Sequence, residues 1–434
     1  MVRTYIKDLK NYLGEDVTIA GWVDAVRDLK NVQFLTLRDS TGKAQALNVK
    51  GQSELEDIIS SMKRESTVIA KGKLVENPSV KLNGYELDLN SIEIQSEPIE
   101  NIPIDGESSR DARLDNRHID LRDPIKQEIF NIQTTAEHAM RQYWIKNGFT
   151  EIHSPKLVEG ASESGAELFT MDYFGKEASL AQSPQFYKQM AMAAGFDRVF
   201  EIGPVFRANK SFTSRHDTEF TSVDTEMSWI KSHEEVMEFE ENWINYFLGE
   251  VANNHYDNIQ AYFGEDLVVP KTPFPRVTLT QAYDILSSLG HEVSREEKGD
   301  LDPKGEQILG QYIKEKHDHD FVFVTDYPTT ARPFYHMRHK DNDKLTKSFD
   351  LLWNGLEVTT GAQREHRYDV LMDQMEEKRV DPKSIQSYVN FFKHGVPPHG
   401  GFGFGLTRML MNITGIDNVR EVTYVYRGPN RLNP

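Results

Sequence analysis

Two arginines in separate segments have neighbours suited to holding phosphate. Arg207 lies in "VFRANKSFTSRHDTEFTSVDTEM", which alternates apolar and polar residues at both ends and is polar in its middle, where Arg215 and His216 also stand. Arg408 lies in "HGGFGFGLTRMLM", behind glycines at 400, 401, 403 and 405 that let backbone approach a flat or charged ligand. A guanidinium grips phosphate through two hydrogen bonds, so two of them from different elements can clamp a triphosphate. A third segment, "SFDLLWNGLEVTTGAQREHR", sets Asp350 and Glu357 on a strand-turn-strand, where both carboxylates can reach a Mg²⁺ ion bridging phosphates. Singly, a glycine run is more often a turn and an arginine a solvated surface group. Their combination carries the reading, because no G-x-x-x-x-G-K-[ST] and no strand-linked G-x-G-x-x-G occurs.

The elements that must position these groups fall into two domains. A chain of 434 residues, 38% hydrophobic, is long for one core. No apolar run long enough to span a membrane occurs and the N-terminus lacks a secretory pattern, so a cytoplasmic location without membrane partners is expected. With no cysteine, thiolate metal sites and disulfides are excluded. A net charge of -18 argues against indiscriminate nucleic-acid binding but permits a local basic patch.

The first hundred residues read as five strands, "DVTIAGWVDAVRD", "VQFLTLRD", "AQALNVK", "TVIAKGKLVEN" and "GYELDLNSIEIQS", with a helical pattern, "SELEDIISSMKRE", between the third and fourth. This is the pattern of an OB-fold β-barrel, whose open face often takes single-stranded nucleic acid; a purely structural β-domain has the same pattern. The expected organisation is an OB-fold over 1–97, a polar, proline-containing hinge over 98–125 and a second domain over 126–434. The second domain opens with an apolar helical stripe of Ile129, Ile132, Ala136, Ala139, Met140 and Tyr143, and Gly148 is placed to end that helix. Its later strands do not alternate strictly with helices, which predicts an α+β plan with an antiparallel sheet flanked by helices.

Taken together, these segments resemble the class II aminoacyl-tRNA synthetases of the aspartyl, asparaginyl and lysyl subgroup, most closely the archaeal and eukaryotic type of aspartyl-tRNA synthetase. The likeness runs nearly end to end: an OB-fold, motif 1 ending at Pro155, motif 2 and motif 3 as quoted above, with "LAQSPQFYKQ" and "TTGAQREH" between them. It implies ATP and Mg²⁺ at the site, L-aspartate and tRNA(Asp) as substrates, and a homodimer; tRNA(Asn) as a second acceptor stays open. Position by position it implies Arg207 on the α-phosphate, His216 beside the β- and γ-phosphates, Phe220 on adenine, Arg408 on the γ-phosphate, and Gly405 and Glu357 in the ATP site. Asp350 and Glu357 match the metal ligands. Lys188 and Arg364 match the cations facing the aspartate side chain, with Glu163, Gln185, Asp224 and Thr360 around the substrate. In the OB-fold, Arg27, Phe34 and Gln45 match anticodon-facing positions.

Three departures stand out. Asn209 occupies the place of a usual Glu or Asp, Thr407 replaces the acidic residue before the motif 3 arginine, and the ending reads "YRGPNRLNP". They fall where the ATP base and the tRNA end are handled. Two alternatives therefore accompany the aspartyl reading: an asparaginyl-tRNA synthetase, and a paralogue that activates an acidic amino acid for another acceptor.

Overall fold

A computed structural model describes residues 3–51, 54–159, 167–210, 213–293 and 299–434. The chain divides into two compact units, 1–128 and 129–433.

In the first unit the strands Asp16–Asp28, Val32–Asp39, Gly42–Val49, Tyr85–Ser96 and Thr67–Glu76, in that spatial order, close into a barrel. Their alternation sends Val17, Ile19, Leu35, Leu37, Ala46, Val68, Ala70 and Leu87 inward to one core. Closure forces strands together, and Gly72 marks the tightest point: a Cβ there would lie 2.0 Å from the carbonyl oxygen of Asp88. The helix between the third and fourth strands is short, Glu56–Ser61, and Leu55, Ile59 and Met62 at its ends and centre cover the barrel. The N-terminal OB-fold is therefore present as a closed five-stranded barrel.

The second unit is built on an eight-stranded sheet in the order Arg276–Thr278, Phe321–Thr325, Ser348–Trp353, Leu356–Arg364, His399–Gly405, Glu219–Ser228, Arg198–Phe206 and Thr150–Glu151. Neighbours pair antiparallel except at the two edges, where Arg276–Thr278 and Thr150–Glu151 run parallel to their partners. The expected antiparallel sheet is thus extended by a parallel strand at each edge, and the reason is connectivity: a long crossover, two helices at one edge and three short strands with helix Gln185–Ala193 at the other, returns the chain in the same direction. The unit is α+β with a mixed sheet.

Helices Pro124–Lys146 and His233–Phe263 contribute to one core with the sheet. Trp144 stacks on Phe200 at 4.4 Å and on Trp243 at 4.9 Å, and Trp243 meets Phe404 edge-on at 5.3 Å. Ile129, Ile132, Ala136, Ala139 and Met140 are buried in that core and Tyr143 packs at its margin. The predicted stripe is thus filled from within the chain. Gly148 takes φ +77°, the left-handed turn that frees the chain to enter the edge strand. Among the described residues no helix is long and apolar enough to cross a membrane.

Candidate active site

The central strands converge on a cavity of about 350 Å³. Strands Arg198–Phe206 and Glu219–Ser228 pair up to Phe206 opposite Glu219, and the loop joining them carries Arg207, Arg215 and His216 to the cavity wall. The Arg207 guanidinium lies 5.4 Å from the ring centre of Phe220. Arg408, one turn into the helix that follows His399–Gly405, donates to the Glu357 carbonyl at 2.7 Å and stands 3.4 Å from its carboxylate. Arg215 bonds Glu306 at 3.1 Å. Burial first, then the charges of Arg408, Arg207 and Arg215, hold the His216 pKa below its ordinary value, so the imidazole is neutral beside three fixed cations. Such a concentration of positive charge in a cavity suits a polyphosphate.

The deep end is ionic and buried. Lys188, 1% exposed on helix Gln185–Ala193, donates to Asp224 Oδ1 at 2.8 Å and lies 3.5 Å from Glu226 Oε2. Arg364 closes the group from the strand on the far side of His399–Gly405, with Nε 3.1 Å from Glu226 Oε1, Nη2 3.0 Å from the Gly401 carbonyl and Nη1 3.0 Å from His336 Nε2. Two cations and two carboxylates make this quartet electrically balanced. The glycines of His399–Gly405 are what allow it: a Cβ on Gly401 would lie 2.0 Å from the Thr225 carbonyl oxygen, and one on Gly403 would lie 3.2 Å from Asp224 Oδ1. Gln185 lines the cavity and donates to Gln189, which also meets His399 and Tyr388.

The carboxylates Asp300, Glu306, Asp350 and Glu357 gather on one side. Burial, and then repulsion from Glu357, raises the Glu306 pKa to about 7; burial, and then Asp350, raises Asp300 to about 6. Oxygen donors that repel one another this way fit a hard divalent cation. Their access differs, however. Glu357 lines the cavity and accepts from Thr360 Oγ1 at 3.2 Å, whereas Asp350 is buried behind Arg332, to which it is ion-paired. Glu357→Gln is therefore expected to weaken a divalent cation held on this side of the cavity by roughly tenfold, and Asp350→Asn by less, because only the first faces the cavity directly. Calorimetric titration of Mg²⁺ into the folded variants reads this; equal, wild-type affinity in both would make the carboxylates structural.

Comparison with known proteins follows the same outline. Residues 109–426 match the family model "tRNA synthetases class II (D, K and N)", and residues 17–95 match "OB-fold nucleic acid binding domain". The chain belongs to the class II tRNA synthetases. It is 41% identical to the aspartate--tRNA(Asp) ligase of Pyrococcus abyssi over the whole of both chains. Identity to the aspartate--tRNA(Asp/Asn) ligase of Methanopyrus kandleri is 43%, covering 97% of this chain and 96% of that one. Among solved structures, asparaginyl-tRNA synthetase from Pyrococcus horikoshii complexed with asparaginyl-adenylate superposes with a TM-score of 0.93 at 31% identity over all of both chains. Aspartyl tRNA synthetase from Entamoeba histolytica gives 0.89 at 32% identity, over all of this chain and 93% of the other.

In this synthetase the cavity brings together Arg207, His216, Phe220, Gln185, Lys188, Asp224, Glu357, Thr360, Arg364, Gly405 and Arg408, drawn from five helices and strands and one loop. Asn209 and Thr407 line it too. Glu163 lies outside the described residues. Sequence reading passed over Glu226, Arg332, Tyr335, His336 and Glu306. Glu226 carried a usable signal, since it stands two residues from Asp224 on one strand and so faces the same side. Arg332 and His336 lie in irregular chain, where no period announces a direction.

The synthetase's barrel gathers its own three residues. Arg27 pairs with Phe34 across neighbouring strands and its guanidinium lies 5.5 Å from that ring. It also donates to Gln45 at 3.3 Å, while Gln45 donates to Glu86 at 2.8 Å. A half-exposed ring beside amide and guanidinium groups suits an unpaired base that stacks while its edge is read.

Proposed function

We propose that the chain condenses L-aspartate with ATP to aspartyl-adenylate and transfers the aspartyl group to tRNA(Asp), with tRNA(Asn) a second acceptor to be tested. The observation that carries this is a buried group of Lys188 and Arg364, joined through Glu226, at the end of a cavity whose other end holds Arg207, Arg215 and Arg408. The first end suits a small anionic side chain, the second a polyphosphate.

In activation an oxygen of the substrate α-carboxylate attacks the α-phosphorus, a new P–O bond forms, and the bond to the leaving pyrophosphate breaks. No general base is required, because the attacking carboxylate is already ionised. Arg207 neutralises charge on the α-phosphate, Arg408 and His216 hold the β- and γ-phosphates, and Phe220 stacks on adenine. Asp224 and Gln185 receive the α-ammonium. Glu357, with Asp350 behind it, would hold Mg²⁺, which lends the departing phosphates neutralising charge. Arg27, Phe34 and Gln45 meet the anticodon. The chain acts in the cytoplasm as a homodimer, and a 50 kDa species alone in light scattering at micromolar concentration would count against the dimer.

The likeness to an asparaginyl enzyme at a TM-score of 0.93 means that backbone shape does not choose the amino acid. Pyrophosphate exchange with aspartate and asparagine side by side does; a preference for asparagine would overturn the reading. Charging of purified tRNA(Asp) and tRNA(Asn) then fixes the acceptor range, and activation without charging of either would favour a different acceptor.

Asn209 tests the transfer side. An amide accepts a hydrogen bond without the charge assistance of the usual carboxylate, so Asn209→Glu is expected to leave aspartate selectivity unchanged and improve ATP use or transfer by up to roughly tenfold. Loss of adenylate formation in the folded variant would show instead that Asn209 serves a different ligand arrangement.

A further inference from the structure

Apart from the cavity, a second cluster of ligand-type side chains stands unexplained. His233 is the first residue of helix His233–Phe263, Asp326 follows the strand Phe321–Thr325, and His339 lies in the irregular segment leading to Ser348–Trp353. One nitrogen or oxygen from each residue falls within 4.8 Å of the other two. His339 Nε2 is 2.7 Å from Asp326 Oδ1, and the two imidazole rings meet edge-on with centres 5.8 Å apart.

Two independent features point to a ligand. His233 is 5% exposed, yet its Nδ1 is buried with no hydrogen-bond partner, a costly state for a polar atom. Asp326 holds φ +63°, a left-handed backbone unusual for a residue with a side chain, and such outliers gather where a side chain must be aimed. The neighbouring cations are engaged elsewhere: Lys347 donates to Gln363 at 3.2 Å, and Arg276 is ion-paired with Glu234 and stands 3.7 Å from Glu241. Asp326 and His339 keep about a quarter of their side-chain surface open, which leaves an entry path.

We propose that His233, Asp326 and His339 bind a divalent transition metal of the zinc class, with water completing a tetrahedron. Two imidazoles and a carboxylate are a suitable donor set, and bonds of about 2.0–2.1 Å require ligand atoms about 3.3 Å apart, which side-chain rotation of roughly an ångström supplies here. The metal replaces the proton now lying between His339 and Asp326. Its place in the fold makes it a fastener. The segment it would tie to the start of the long helix also carries Arg332, Tyr335 and His336 to the cavity wall, and the Met337 amide bonds the Gln363 carbonyl at 3.0 Å, next to Arg364. This inference does not depend on which amino acid is activated.

The test uses the full chain without a histidine tag, stripped by chelator and kept in excess Mg²⁺ so that hard-cation sites are filled. Co²⁺ is titrated as probe and Zn²⁺ as competitor. One equivalent of Co²⁺ with the strong visible absorption of a tetrahedral site is expected, displaced by Zn²⁺, together with a Zn²⁺-dependent rise in Tm. His339→Gln and Asp326→Asn should each weaken binding by more than about 100-fold and abolish the Tm rise, while His138→Gln, at an exposed position away from the cluster, should change neither. Absence of stoichiometric binding to the wild-type chain, or binding that survives both variants in folded protein, would overturn the proposal. The two variants sit at partly open positions, so one that misfolds still leaves the other to decide.

Discussion

Lys188→Met should cost aspartate activation about 3–5 kcal/mol, a loss of roughly a hundred- to several-thousandfold in kcat/KM, while ATP affinity changes little. The substitution keeps most of the side chain's length and removes its charge, leaving Glu226 with Arg364 as its one cation and Asp224 with the Ser222 hydroxyl in place of an ion pair. Part of the penalty is therefore structural and will show in Tm. The part specific to the substrate is read by aspartate-dependent pyrophosphate exchange in protein that remains folded, set against ATP binding measured directly. Arg364→Met should behave alike, because Glu226 joins the two cations. Wild-type exchange in both variants would remove this pocket from the aspartate site. Lys188→Arg is not a mild change: a planar fork cannot replace an ammonium that meets a carboxylate oxygen and two carbonyl oxygens, those of Thr225 and Phe402.

Arg207→Ala should lower kcat for adenylate formation by about 100- to 1,000-fold, the loss expected when a donor aimed at charge growing in the transition state is removed. KM for aspartate should move little, since the deep quartet is untouched. The side chain has a second task that sharpens the test. Its guanidinium lies beside the Phe220 ring, so removing it also loosens a wall proposed to hold adenine, and KM for ATP should rise as well. Arg207→Lys restores a charge without the planar fork and should recover only part of kcat. A variant with unchanged kcat would mean that the α-phosphate is held elsewhere.

Local sequence determined much of this molecule. Every barrel strand stands where alternation put it, two of them with unchanged ends, Asp16–Asp28 and Val32–Asp39, because a period of two records which face is buried without reference to distant chain. The helical stripe at 129–143 and the turn at Gly148 were legible for the same reason. So were the two arginine segments and the acidic pair, whose residue types imply their chemistry wherever the chain takes them. What sequence could not supply was partnership across distance. Glu226 and Arg364 are 138 positions apart and meet only because their strands flank His399–Gly405, whose glycines allow close approach. Asp350 and Glu357 look equivalent in sequence, yet folding buries one against Arg332 and leaves the other facing the cavity. The parallel edges of the sheet followed from where long crossovers returned the chain. The His233, Asp326 and His339 cluster has no spacing to announce it, since the fold alone draws three segments to one point.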